Sequence, residues 1–175
     1  LDGTKEFIKK NGEFTVNIAL ISDRQPVLGV VYIPVKQSVY WAASDIGSFY
    51  TEENTVTAIH TRAAKAKALV AVGSRSHSTP EVAQYCQRLN VAEMRSIGSS
   101  LKLCLVAEGK ADIYPRLGPT SEWDTAAAQC VVEQAGGRVV TVDGEPLAYN
   151  TKESFLNPYF LVYGDSSIDW IGYLS

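Results

Sequence analysis

The sequence is poor in cysteine and histidine, carries no surplus of positive charge and lacks any long unbroken apolar run. Three cysteines in 175 residues, Cys86, Cys104 and Cys130, are too few and too widely spaced for a disulfide-stapled miniprotein. Each lies in a half-apolar run of helical character, so all three read as buried free thiols, as expected in a reducing, cytoplasmic compartment. Of the two histidines, His77 has no partner at metal-ligand spacing, which argues against zinc, and His60 has no informative context. The longest apolar stretches, such as residues 14–22, are interrupted by polar side chains and fall short of the ~20 residues a bilayer span requires. Neither an integral membrane segment nor a signal peptide is read from the pattern. Sixteen Lys+Arg against nineteen Asp+Glu give a net charge of −3, so no global basic field would attract nucleic acid, and any phosphate site must be built locally. Repeats and low-complexity tracts are also missing.

With 46% hydrophobic and 20% charged residues, 13 Gly and 7 Pro, the chain has the composition of a packed globular protein of one domain or slightly more. It opens at Leu1 and runs directly into Asp2-Gly3-Thr4, which reads as a cut. Residues 14–50 predict an antiparallel meander. A first strand, 14–21, is followed by the turn Ser22-Asp23-Arg24-Gln25-Pro26 and a second strand, 27–33, closed by Pro34. A third strand resumes at Val39-Tyr40-Trp41-Ala42 before Asp45-Ile46-Gly47 turns the chain again.

The join, near residues 52–67, separates this region (1–60) from an α/β region (61–175) in which short apolar strands alternate with helices. There the pattern predicts a strand at 68–72 ended by Gly73-Ser74, and a helix at 80–89 with Thr79 as its N-cap. A strand at 91–95 follows, then a helix opened by Gly98-Ser99-Ser100 whose Leu101, Leu105 and Val106 share one face. Last come a strand at 111–114 stopped by Pro115 and a helix at 121–135 stopped by Gly136-Gly137.

Two carboxylates stand out. Asp2, in Asp2-Gly3-Thr4 ahead of a short helix, combines a hard oxygen ligand with backbone N–H groups that suit an anion. Asp124 follows Ser121 at capping-box spacing, so a plain helix-cap role is available to it. The small residues Thr125-Ala126-Ala127-Ala128 would let that helix lie close against another element, with Asp124 projecting from its end. Gly98-Ser99-Ser100 is a donor-rich helix start, readable as an ordinary serine cap, with Lys102 one turn on. Arg75, His77 and Arg116 follow predicted strands directly, where α/β proteins place ligand contacts.

Together these stretches resemble a known family. Leu1-Asp2-Gly3-Thr4 with Glu6-Phe7, and Trp123-Asp124 with Ala127 through to Ala135-Gly136-Gly137, are similar to the two signature motifs of the inositol monophosphatase superfamily of magnesium-dependent phosphatases. Lys5-Glu6-Phe7, residues 12–21, Ser74-Arg75-Ser76-His77 and Gly118-Pro119-Thr120-Ser121-Glu122-Trp123-Asp124 resemble its 3'(2'),5'-bisphosphate nucleotidase branch. The resemblance implies the C-terminal, larger portion of a layered α/β sugar-phosphatase fold: the end of an antiparallel sheet, then a smaller mixed sheet flanked by helices.

It also implies roles. The Leu1 carbonyl would meet one Mg²⁺, and the Asp2 and Asp124 carboxylates a second. Thr4 would orient the attacking water, and the Gly3 and Thr4 amides would receive phosphate. The remaining members of the first motif and an upstream Glu would lie before Leu1, so the acids in hand would make half of a site that needs several hard oxygen ligands around metals about 3.5 to 4 Å apart. The implied substrate is a small nucleotide, 3'-phosphoadenosine 5'-phosphate, cut to AMP and phosphate. Its second phosphate would fall to Arg75, Lys102 or Arg116, with Ser99 nearby. An inositol or sugar phosphatase of the same superfamily, and a chain that binds anions without hydrolysis, are the alternatives.

Overall fold

A computed structural model describes residues 1–74 and 79–175. Its elements run α1 (Thr4–Ile8), β1 (Val16–Ser22), β2 (Gln25–Ile33), β3 (Ser38–Ala43), β4 (Gly47–Glu52), β5 (Thr55–Ala58), β6 (Val70–Ser74), α2 (Pro80–Arg88), β7 (Glu93–Ile97), α3 (Leu101–Ala107), β8 (Ile113–Arg116), α4 (Glu122–Gln134), β9 (Arg138–Thr141) and β10 (Phe160–Tyr163). No helix among the described residues is long and apolar enough to cross a membrane.

Strands β1 to β5 form an antiparallel meander in chain order. The β1–β2 hairpin is tighter than the sequence suggests: Asp23 and Arg24 both sit at positive φ (48° and 69°), a two-residue turn whose twist matches the flanking strands. Glu53 and Asn54 repeat this device (48° and 66°) and return the chain as β5, a strand the sequence pattern had left inside the join.

The second sheet has order β7-β6-β8-β10-β9, with β6 parallel to β7 and β8 and the rest antiparallel. It equals the first in strand number, with shorter strands. Its buried interior draws Gly73 and Ser74 into β6, where they pair with Ser96 and Ile97. The neighbouring strand accordingly lies at Glu93–Ile97, two residues later than the apolar run predicts. Pro115 does not stop β8 but lies within it, opposite Leu161. The β6 pairing reaches only Ile113, so the missing proline N–H takes nothing from that ladder.

One hydrophobic cluster joins the inner face of the first sheet (Val31, Ile33, Tyr40), α3 and α4 (Val106, Cys130, Val131) and one face of the second sheet (Val72, Phe160). A second cluster covers the opposite face of that sheet with α2 and the C-terminal Trp170. The order is therefore sheet, helices, sheet, helix. Helix α3 is buried almost all round, not on the single face that its leucine spacing suggests, because it sits between the sheets. The small-residue stretch of α4 acts as expected: a Cβ on Gly29 of β2 would meet the Ala127 carbonyl at 2.1 Å, so glycine sets the helix–sheet distance.

Candidate active site

Strand order decides where the site forms. From β6 the chain crosses by α2 to β7 on one side, then by α3 to β8 on the other, so the carboxyl ends of β6, β7 and β8 splay around a switch point. Ser74, Gly98 and Arg116, at or just beyond those ends, line a cavity of about 380 Å³. The N-terminal turn and the start of α4 close it.

Every described residue proposed from sequence lies on this cavity: Leu1, Asp2, Gly3, Thr4, Ser99, Lys102, Arg116 and Asp124. Arg75 and His77 lie outside the described residues, and His60 is exposed elsewhere. Asp2 is fixed by reciprocal backbone bonds with Thr15 (2.8 and 3.0 Å), which turn its side chain inward. Burial raises the Asp2 carboxyl above the ordinary carboxylate range, and the negative charge of Asp124 adds to the rise. Lys102 and the amides of Ser100 and Gly3 oppose it. Two acids separated by 122 positions in the sequence thus feel each other across one cleft.

Gly3 stands at φ 86° before α1, and the first intrahelical bond runs from Phe7 N to the Gly3 carbonyl, so the Gly3 and Thr4 amides precede the helical ladder. At the other wall, Asp124 does form the capping interaction: Ser121 N donates to its Oδ2 at 3.1 Å. One carboxylate oxygen is thus occupied by the helix end, and the residue still faces the cavity. The cap holds the acid in position on the cavity wall.

Lys102 is buried, donates to the Ser99 carbonyl at 2.6 Å, and lies 5.6 Å from the centre of the Tyr114 ring. Burial pushes its ammonium down to about 8, against the pull of Asp2. Ser99 takes φ 50°, and among the described residues its buried hydroxyl has no hydrogen-bond partner, as is also true of the buried Nε of Arg116. Orphaned buried donors aimed at a cavity are costly unless a ligand satisfies them. Ser100 is not the side-chain cap the sequence suggests; its hydroxyl bonds Thr15 Oγ1 (2.9 Å) and Asn17 Oδ1 (3.0 Å), tying β1 to the start of α3.

Sequence reasoning assigned no site role to Glu6, Tyr114, Thr120, Trp123 and Thr125, which also line the cavity. Glu6 had a signal: a Cβ on Gly98 would meet its Cγ at 2.4 Å, so that glycine exists to admit the acid. Asn157 had none. Its Nδ2 donates to Thr120 Oγ1, the Ser121 carbonyl and Thr125 Oγ1 (3.0 to 3.1 Å), clamping the end of α4 that carries Asp124.

The model of one family, described as the inositol monophosphatase family, matches residues 1–161. The chain belongs to the inositol monophosphatase family. It is 54% identical over 163 residues to the 3'(2'),5'-bisphosphate nucleotidases CysQ of Salmonella typhimurium and Escherichia coli strain K12, covering 93% of this chain and 65% of each relative. The chain thus spans a little under two thirds of the length of the curated relatives it matches. Among solved structures of the family, CysQ from Bacteroides thetaiotaomicron superimposes with a TM-score of 0.85 at 46% identity, over 94% of this chain and 67% of that one. An inositol monophosphatase from Zymomonas mobilis shares the fold at a TM-score of 0.83 and 23% identity.

Proposed function

We infer that this site serves a Mg²⁺-dependent phosphomonoesterase that removes the 3'-phosphate of 3'-phosphoadenosine 5'-phosphate, giving AMP and phosphate. The observation that carries the reading is the convergence of Asp2 and Asp124 with Lys102 and Arg116 on one cavity. The names of the relatives at 54% identity support the nucleotide over other esters.

The donors fit a hard cation in kind: two carboxylates with a backbone carbonyl, and an Asp2 whose carboxyl is held above the ordinary range by burial and then by the charge of Asp124. They do not fill a coordination shell, since the described residues contain no cluster of three or more acidic, histidine or cysteine ligands. When bound, Mg²⁺ would lower the pKa of a coordinated water and neutralise charge on the phosphoryl group. The Leu1 carbonyl would meet one such ion, and the Asp2 and Asp124 carboxylates would hold a second.

The other steps belong to the chain itself. Thr4 would orient the attacking water through its hydroxyl, and the amides of Gly3 and Thr4 would receive the phosphoryl oxygens. Lys102, Arg116 and the orphaned Ser99 hydroxyl would hold the second phosphate, which explains why so much positive charge is kept beside two acids. A nucleotide bearing two phosphates satisfies both ends of the cavity, whereas an inositol monophosphate leaves the cationic end unanswered.

The test is phosphate release from 3'-phosphoadenosine 5'-phosphate and from inositol monophosphate in parallel, with Mg²⁺ and with chelator. Mg²⁺-dependent release from the nucleotide is expected to exceed that from the inositol ester at least ten-fold in kcat/KM, about 1.4 kcal/mol of transition-state discrimination. Preference for the inositol ester would overturn the substrate assignment. Calorimetric binding of nucleotide with no release at all would instead favour an anion-binding chain without hydrolysis.

A further inference from the structure

The turn Gly98-Ser99-Ser100, between β7 and α3, keeps a conformation that its own sequence does not favour. Ser99 carries a side chain yet stands at φ 50°, and non-glycine residues hold such angles where surrounding contacts impose them. The contacts that do so come from both flanks. On one side, Gly98 N donates to Glu13 Oε2 at 2.7 Å, a charge-assisted bond to a residue 85 positions earlier. On the other, the Ser100 hydroxyl is bonded to Thr15 Oγ1 at 2.9 Å. Between them, the Ser99 carbonyl accepts from Lys102 Nζ at 2.6 Å.

Glu13 is delivered to that point by the chain that follows α1. Gly12 takes φ 77°, Asn11 N donates to the Glu6 carbonyl at 3.3 Å, and Glu13 N donates to Asn11 Oδ1 at 3.0 Å, a turn closed by its own asparagine. Glu13 is half-buried and is not among the described residues lining the cavity, so its reach into the site runs through Gly98. The buried Glu6 supports the same turn. A Cβ on Gly98 would come within 2.4 Å of its Cγ, and a Cβ on Gly3 within 3.3 Å of its Oε2. One acid thus lies between the two turns assigned above to the two phosphates. Negative charge behind an anion site opposes binding. These acids must contribute something else, and the geometry shows that it is spacing.

We propose that Glu13 is a positioning residue, with Glu6 as its spacer, and that together they fix the 98–100 turn at the distance from Gly3 and Thr4 that a nucleotide phosphorylated on both its 3' and 5' oxygens requires. The inference rests on the reading of Ser99 and Lys102 as partners of the second phosphate. Glu13 binds the Gly98 amide from behind the cavity wall. With that peptide fixed, the strained Ser99 stays on the cavity lining and keeps its carbonyl on Lys102. Preference for two phosphates over one then comes from a preset separation as well as from charge, since a displacement of about 1 Å in a binding group can cost on the order of a hundred-fold.

The test compares, in the full-length enzyme, adenosine 5'-phosphate, which carries only the second phosphate, with adenosine 3'-phosphate, which carries only the first. Glu13→Ala removes the acceptor of the Gly98 amide, whereas Glu13→Gln keeps an acceptor oxygen and drops the charge. By calorimetry, Glu13→Ala should weaken adenosine 5'-phosphate binding about ten-fold, and Glu13→Gln by no more than about three-fold. In turnover, Glu13→Ala should raise KM for 3'-phosphoadenosine 5'-phosphate about ten-fold with kcat within about two-fold, and leave kcat/KM for adenosine 3'-phosphate unchanged. Should Glu13→Ala fail to fold, Glu13→Asp, one methylene shorter, takes its place and should act in the same direction. A merely structural role would lower the melting temperature and affect both nucleotides alike. Equal losses for the two, unaltered adenosine 5'-phosphate binding, or no such binding in the unaltered enzyme would each overturn the proposal. The two readings fail separately: weakened binding in an enzyme without turnover overturns the phosphatase assignment alone, and normal turnover with unaltered binding overturns the positioning role alone.

Discussion

Asp124 carries two duties on one side chain. Its Oδ2 accepts from Ser121 N while the carboxylate faces Asp2 across the cavity. Asparagine can keep the cap and cannot keep the charge. Asp124→Asn in the full-length enzyme should lower Mg²⁺-dependent phosphate release at least about a hundred-fold, while the loss of the charge–dipole interaction costs the fold about 0.3 to 1 kcal/mol. Assay and thermal melt together check this; a collapsed melt with metal affinity unchanged would return Asp124 to a purely capping role.

Lys102 gives a prediction with a fixed sign. Its folded pKa is pushed down to about 8 by burial, below the ordinary 10.5, so between those values the unfolded chain binds more protons and stability rises with pH. Between pH 7.5 and 10 the protein should gain on the order of 2 kcal/mol relative to Lys102→Met, measured by denaturant unfolding at each pH. Parallel curves for the two proteins would show that the ammonium is not held in a dry environment. The cost of burying that charge next to the Ser99 carbonyl and the Tyr114 ring is what a bound phosphate would offset.

Among the elements, α4 connects the site to the core. Its acid-bearing end is clamped by Asn157, its middle is anchored by Tyr149, which donates to Gln129 Oε1 at 2.6 Å, and its small-residue face rests on Gly29 of β2. Gly29→Ala would drive a methyl group into the Ala127 carbonyl, so the helix must lift from the sheet. The expected loss is about 1 to 3 kcal/mol in chemical denaturation. Asn157→Ala leaves Thr120, Ser121 and Thr125 short of a shared donor and should cost about 1 to 3 kcal/mol. Because Asn157 touches only the supports of Asp124, its loss should also raise the Mg²⁺ concentration needed for half-maximal activity, which a general loss of stability would not do.

For the molecule as a whole, ligands that bind only the folded state should report on the completed cavity. Two partly repelling acids and two orphaned donors predict that Mg²⁺ and 3'-phosphoadenosine 5'-phosphate together raise the melting temperature more than either alone. Asp2→Asn should abolish the Mg²⁺ increment. An increment unchanged in that variant would place the cation elsewhere.

Much of this was legible along the chain. Alternation of apolar residues announced β1 to β3, Thr79-Pro80 opened α2, the Gly136-Gly137 stop ended α4, and the spacing of Ser121 and Asp124 announced the cap, because each depends on neighbours within a few residues. Asp2, Thr4 and Asp124 were singled out through the family resemblance together with the helix-end spacing, and they line one cavity.

What only tertiary structure decided depends on contacts between distant segments. Glu53 at positive φ gives no local cue to β5, and Pro115 belongs to a strand only because its open side lacks a partner. Nothing near Asn157 says that it clamps Thr120 and Thr125, and nothing near Ser99 says that its hydroxyl lacks a partner among the described residues. Desolvation likewise acts through volume, not sequence: Lys102 titrates low because elements remote in the chain exclude water from it.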